Sequence, residues 1–210
     1  MPAPISLAAF DLDGTILEKE SSWVALHRHF GTTSAGEVSL RLYSEGRISY
    51  REFMRRDIGS WPKPVTREQV VSVLSGYRVR REAPATMAEL RRRGVGLAIV
   101  SSGIDILAKM VAEELGIEHW LANGLRFDRA GRLKPEGIGR VDPTRKDRAF
   151  LRMLRGLGVS PERTVAVGDT VYDLRFLKSA SMGFMLAHTT RVDDPDIIHI
   201  EKLTDVLAYV

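Results

Sequence analysis

Three short, largely apolar runs end in polar residues of similar kind: Ile5 to Phe10 leads into Asp11, Val95 to Val100 into Ser101, and Thr164 to Val167 into Gly168 and Asp169. Runs of this length with little alternation predict strands buried on both faces. Helical spacing lies between and after them, over Ala83 to Arg93, Ile104 to Leu115 and Thr144 to Leu157, with Pro84 near one start and Gly94, Gly116 and Gly158 at the ends. Strands alternating with helices predict an α/β fold: a Rossmann-like, doubly wound, mostly parallel sheet. Ligands of such sheets bind beyond the carboxyl ends of the strands, where Asp11, Ser101 and Asp169 project.

The stretch from Leu17 to Gly76 has helical signals and no convincing strand. Ser49 with Glu52 and Thr66 with Gln69 have the spacing of capping boxes, and Trp61, Pro62 and Pro64 mark a break between the helices they open. The expected organisation is therefore a core domain of residues 1–16 and 77–210, with a small helical cap domain, residues 17–76, inserted after the first strand. Asn123 to Gly139 carries glycines and a short alternation that predict a hairpin returning to the core.

A chain of 210 residues buries a substantial core, and its 44% hydrophobic and 28% charged residues are those of a soluble globular protein. With no cysteine there is no disulfide, thiolate metal site or cysteine nucleophile, so carboxylates, hydroxyls, lysine and histidine must carry any chemistry. Ile5 to Phe10 is far shorter than the ~20 residues of a membrane span, and no basic region precedes it as in a signal peptide. The expectation is a cytoplasmic protein with no membrane partner. The net charge of +4 sits in short clusters such as Arg78 to Arg81 and Arg91 to Arg93, without interleaved aromatics. They read as solvated surface, not as a nucleic-acid interface.

Asp11-Leu12-Asp13-Gly14-Thr15 is the most informative segment, because carboxylates two positions apart at a strand end face the same side. One can attack while the other handles protons. A carboxylate approaching a phosphate dianion needs a divalent cation and further positive charge, and magnesium suits an all-oxygen site. Gly14 permits a sharp turn, and Thr15 offers a hydroxyl to phosphoryl oxygens or to a carboxylate. Asp169 can join Asp11 as a metal ligand, with Asp173 in reach behind it. Ser101, Ser102 and Gly103 offer a hydroxyl and backbone N–H groups suited to an anion. Lys146 is the candidate cation for both phosphate and Asp11. Taken singly, these residues also read as an acidic turn, a helix cap, a loop and a surface lysine; their joint order changes that reading.

That order resembles the haloacid dehalogenase superfamily, in particular its phosphoserine phosphatase-like branch, through Asp11-Leu12-Asp13-Gly14-Thr15, Ser101-Ser102-Gly103, Lys146, and Gly168-Asp169 through Asp173. The resemblance spans nearly the whole chain. It implies a magnesium-dependent phosphatase acting on a small phosphorylated metabolite through a phosphoaspartyl intermediate. Asp11 is then the nucleophile and Asp13 the acid and base, with Ser101 and Lys146 on the phosphoryl group. The metal falls to Asp11, the backbone carbonyl of Asp13, and Asp169, with Asp173 beside them. Thr15, Ser102 and Gly103 border the substrate, and Glu20 matches an acidic cap residue that meets a substrate amine. Two positions depart from the branch. Asp57 stands where an arginine for a substrate carboxylate is expected, with Arg56 adjacent, and Tyr172 stands where an asparagine is usual. Both bear on the substrate and not on the hydrolytic residues. The other readings are a phosphotransferase or mutase, a phosphatase for phosphoglycolate, a sugar phosphate or a nucleotide, and a non-catalytic binding module. A homodimer is a further expectation.

Overall fold

A computed structural model describes residues 4–18, 21–186 and 192–210. Its centre is a seven-stranded sheet. The strands are β1 (Leu7–Phe10), β2 (Gly96–Ile104), β3 (His119–Phe127), β4 (Leu133–Ile138), β5 (Thr164–Gly168), β6 (Met182–Leu186) and β7 (Ile197–Ile200). Their spatial order is β4-β3-β2-β1-β5-β6-β7, every pairing parallel except the β3–β4 hairpin. The doubly wound α/β architecture and the hairpin thus follow the expectation.

The sheet is buried on both faces because its strands alternate apolar side chains to each. Ala8 and Phe10 of β1 join Leu97, Ile99, Val165 and Val167 in one cluster. Leu7 and Ala9 join Ala98, Val100, Ala166 and Met185 in the other. The first cluster is roofed by α5 (Ala83–Arg92) and α6 (Asp105–Leu115), through Met87, Leu90, Leu107 and Val111. The second is closed by α7 (Lys146–Leu157) and α8 (Leu174–Leu177), where Phe150 meets Phe176 edge-on at 5.1 Å between centroids. Burial of each such ring is worth about 1.5–3 kcal/mol over exposure.

Between β1 and α5 the chain forms four further helices, the helical cap: α1 (Ser22–His29), α2 (Thr33–Ser44), α3 (Tyr50–Ser60) and α4 (Arg67–Leu74). Its two ends leave the core side by side, with Glu18 N–H donating to the Arg78 carbonyl at 3.0 Å and Arg80 N–H to Ile16 at 2.9 Å. Trp23, Tyr43, Tyr50, Phe53 and Trp61 bury most of their rings among these helices. The Thr66–Gln69 capping box forms in full. At Ser49 only half forms, because the Glu52 carboxylate instead binds Arg55 and Arg56 at 2.7 to 3.0 Å. Two charged partners outcompete one exposed backbone amide.

The structure differs from the sequence reading in three respects. Ser101 to Gly103 lie inside β2, which runs on to Ile104 with a register shift against β3. A short turn, Pro143–Arg145, precedes α7, so Lys146 opens that helix. The strands β6 and β7 have no counterpart in the sequence pattern described above. No helix among the described residues is long and apolar enough to cross a membrane.

Candidate active site

Register assembles the site. Phe10 pairs with Ile99 on one side and Val167 on the other, so the next residues of the three central strands, Asp11, Val100-Ser101 and Gly168-Asp169, meet at one edge. Asp11 N–H continues the ladder to the Val167 carbonyl at 2.8 Å. Beyond it the chain turns through Gly14, whose φ of 89° lies in the left-handed region. Space also demands glycine here, since a Cβ would fall 2.3 Å from Asp169 Oδ2. Arg80 holds the turn by donating to the carbonyls of Gly14 at 2.6 Å and Thr15 at 2.8 Å. One member of the Arg78 to Arg81 cluster is therefore a partly buried clamp, which corrects the solvated reading for that residue.

Asp11 is only 7% exposed and Lys146 2%. The Lys146 ammonium donates to Asp11 Oδ1 and, at 2.6 Å, to Asp173 Oδ1, and it lies 5.0 Å from the centre of the Phe176 ring. Burial alone would lower the lysine pKa, but Asp11 and Asp173 outweigh it and keep the ammonium charged. The Asp11 carboxyl is held well above its usual range by burial, with Lys146 pulling the other way and Asp173 and Asp169 adding repulsion.

Asp13 Oδ2 accepts from Ser22 N–H and Ser22 Oγ–H, both at 3.1 Å. Its Oδ1 is buried with no partner. Burial pushes the Asp13 carboxyl up to about 6, against the lowering effect of the two Ser22 hydrogen bonds. Gly103 presses against this pair: a Cβ there would lie 2.5 Å from Asp13 Oδ2, 2.6 Å from Ser22 Oγ and 3.1 Å from Ser101 Oγ. The end of β2 is thereby packed directly onto Asp13. Ser101 Oγ accepts from Gly103 N–H at 3.0 Å.

Asp11, Asp169 and Asp173 each bring a carboxylate oxygen within 4.8 Å of the others. These are hard oxygen donors that suit a magnesium ion. Asp173 is already heavily used: Oδ1 takes Lys146, and Oδ2 accepts from Asp169 N–H, Thr170 N–H and the Thr170 hydroxyl at 3.0 to 3.2 Å. It is placed to anchor the loop and the lysine behind Asp11 and Asp169. The Asp13 side chain turns to Ser22 and is not part of this carboxylate group.

The remaining expected residues divide. Thr15 is fully buried and donates its hydroxyl to Asp169 Oδ1 at 2.9 Å, so it orients a carboxylate and is not turned to substrate. Ser102 contributes its carbonyl, which accepts from Trp23 Nε1, Tyr50 Oη and Asn123 Nδ2 at 2.7 to 3.1 Å and ties the cap helices to the core. Tyr172, 40% exposed, meets Ser44 Oγ of α2 at 3.2 Å and borders a cavity under the cap. Arg56 has a side chain 43% exposed and paired to Glu52, away from that cavity, so it does not replace the expected arginine. Glu20 lies outside the described residues. Sequence reasoning missed Ser22, Arg80, Tyr50 and Asn123. Nothing in their local pattern marks them, because each partner is brought within reach by the fold and not by helix or strand spacing.

The profile of haloacid dehalogenase-like hydrolases matches residues 5–181. The phosphoserine phosphatase of Methanocaldococcus jannaschii is 27% identical over 97% of both chains. That of Wolinella succinogenes is 25% identical over 98% of this chain and 100% of its own. A solved phosphoserine phosphatase holding a phospho-aspartyl intermediate analogue superimposes with a TM-score of 0.79, at 25% identity over 99% of this chain and 100% of the other. With the Asp11 strand end, the buried Lys146 and the clustered carboxylates all inside the matched residues, the chain belongs to the haloacid dehalogenase-like hydrolase family.

Proposed function

We propose that this hydrolase is a magnesium-dependent phosphatase that cleaves a small phosphate monoester of the cytoplasm through a phosphoaspartyl intermediate on Asp11, with residues 17–76 as cap over a core of residues 1–16 and 77–210. The observation that carries this reading is the meeting of Asp11, Lys146 and Asp13 at the end of the central strand, with the Asp13 carboxyl at about 6.

An Asp11 oxygen attacks phosphorus as the bond to the leaving oxygen breaks, and Asp13 gives that oxygen its proton. A water then loses a proton to Asp13 and attacks the phosphoaspartate, releasing inorganic phosphate and restoring Asp11. A carboxyl near 6 can hold the proton for the first half and take one in the second. Lys146 and Ser101 face the phosphoryl oxygens, and Lys146 offsets charge between them and Asp11. Magnesium, held by Asp11, Asp169 and the backbone carbonyl of Asp13, would supply charge neutralisation between the phosphate dianion and the attacking carboxylate. The phosphoserine of the named relatives sets the size of substrate to try first.

The test is phosphate release from a panel of small monoesters with magnesium present, repeated in chelator. Release that chelator stops supports the reading. Undiminished release in chelator, or none from any ester, would contradict it.

A further inference from the structure

Beside Ser102 a cavity of about 300 Å³ opens under the cap, reaching Pro143 at the core. Trp23, Tyr43, Tyr50 and Phe53 wall it, and Asp57 also lines it. The rings are braced against one another: Tyr50 stacks on Phe53 at 5.6 Å, Tyr43 lies 5.6 Å from Phe53, and Trp23 meets Phe53 edge-on at 6.1 Å. The Tyr43 hydroxyl donates to Asp142 and the Tyr50 hydroxyl to the Ser102 carbonyl, so both phenols spend their polar ends on the core.

Asp57 is 2% exposed and its Oδ1 has no partner. Its other oxygen lies 3.1 Å from His27 Nε2. An indole N–H only donates, and Trp61 Nε1–H donates to His27 Nδ1 at 3.3 Å, with the Thr32 hydroxyl at 2.8 Å from the same nitrogen. With Nδ1 turned to Trp61 and Thr32, the imidazole presents Nε2 to Asp57. No lysine or arginine is among the described residues that line the cavity, whereas Glu37 adds a second acid. A buried carboxylate with one oxygen unpartnered, beside an aromatic-walled space that no lysine or arginine lines, is costly, and a ligand cation offsets that cost. Aromatic faces attract alkylated ammonium groups in the same way.

We infer that the leaving group of the substrate carries an alkylammonium cation and no carboxylate, seated among Trp23, Tyr43, Tyr50 and Phe53 and paired with Asp57. This rests on the phosphatase reading above and narrows it. A substrate carboxylate placed in the cavity would meet Asp57 and Glu37 with no counter-ion.

The test compares kcat/KM for phosphocholine, its neutral isostere with carbon in place of nitrogen, and phosphoserine, with p-nitrophenyl phosphate reporting the hydrolytic machinery alone. Phosphocholine should exceed its neutral isostere by at least about tenfold and phosphoserine by at least about a hundredfold. In Asp57→Asn the preference over the isostere should fall to within about threefold. If p-nitrophenyl phosphate turns over and the cation confers no advantage, the inference is overturned while the phosphatase reading stands. If no ester turns over, that reading fails, and calorimetry on the wild-type protein decides the cavity: choline must bind at least tenfold tighter than its carbon isostere, and equal binding overturns the inference. The wild-type comparisons decide alone if Asp57→Asn does not fold.

Discussion

Gly14 shows how one residue can set the geometry of a site. It combines a φ of 89° with a contact that leaves no room for a Cβ beside Asp169. Gly14→Ala should cost about 1–3 kcal/mol of stability and, by pushing Asp169 away, lower kcat/KM at least about a hundredfold. A variant with normal turnover would show that the turn does not position the carboxylates. Asp13 makes a different prediction. Its carboxyl is raised from 3.8 to about 6 in the fold. Below 3.8 both folded and unfolded chains carry the proton, so nothing is lost. Between 3.8 and 6 the unfolded chain ionises first, and stability falls as pH rises through this window. Asp13→Asn removes that penalty, so in chelator it should be more stable than wild type by about 1–3 kcal/mol at neutral pH, with the gain vanishing near pH 4. Urea midpoints across pH check this; a pH-independent difference would contradict the burial argument. At this scale the motifs pointed to Asp11, Asp13, Lys146 and Asp169, which the fold brings to one edge of the sheet. They did not reveal Ser22 or Arg80, because a serine near a helix start and an arginine in a basic cluster have the same local pattern whether or not they reach the site.

The strands at the centre of the sheet were legible because β1 and β5 are buried on both faces and read as unbroken apolar runs. The runs of β6 and β7 match those of β5 and β1 in length, but no motif follows them to mark them out. Their place in the sheet depends on docking to β5 and to each other. Gly183 of β6 illustrates this, since a Cβ there would lie 2.7 Å from the Leu177 carbonyl of α8, a constraint invisible in the local pattern. The two cap signals separate in the same manner. Thr66 and Gln69 complete their box, so Thr66→Ala should cost about 1 kcal/mol. Glu52 spends its carboxylate on exposed arginines, and Glu52→Gln should leave stability nearly unchanged. Urea unfolding of both variants measures the contrast, and equal losses would mean that the Glu52 pairs are worth more than their exposure allows.

Over the whole molecule, the sheet order and the helical cap bring together residues from opposite ends of the chain. Asp11 and Lys146 are in contact across 135 positions, and Thr15 and Asp169 across 154. The cap walls the space next to that meeting point with aromatic rings, so on the proposed reading the division of labour is spatial: the core would hold the reacting groups and the cap would face the leaving group. The cap was legible as helical from its boxes and its proline break. Its cavity was not, because Trp23, Tyr43, Tyr50 and Phe53 converge from three helices. Covalent capture of phosphate by Asp11 is the claim on which this division depends, and mass spectrometry of enzyme acid-quenched during turnover tests it most directly. The account predicts a phosphoryl adduct on the peptide that carries Asp11, absent in Asp11→Asn together with turnover. Sustained turnover with no adduct there, and an Asp11→Asn variant within tenfold of wild type, would contradict it.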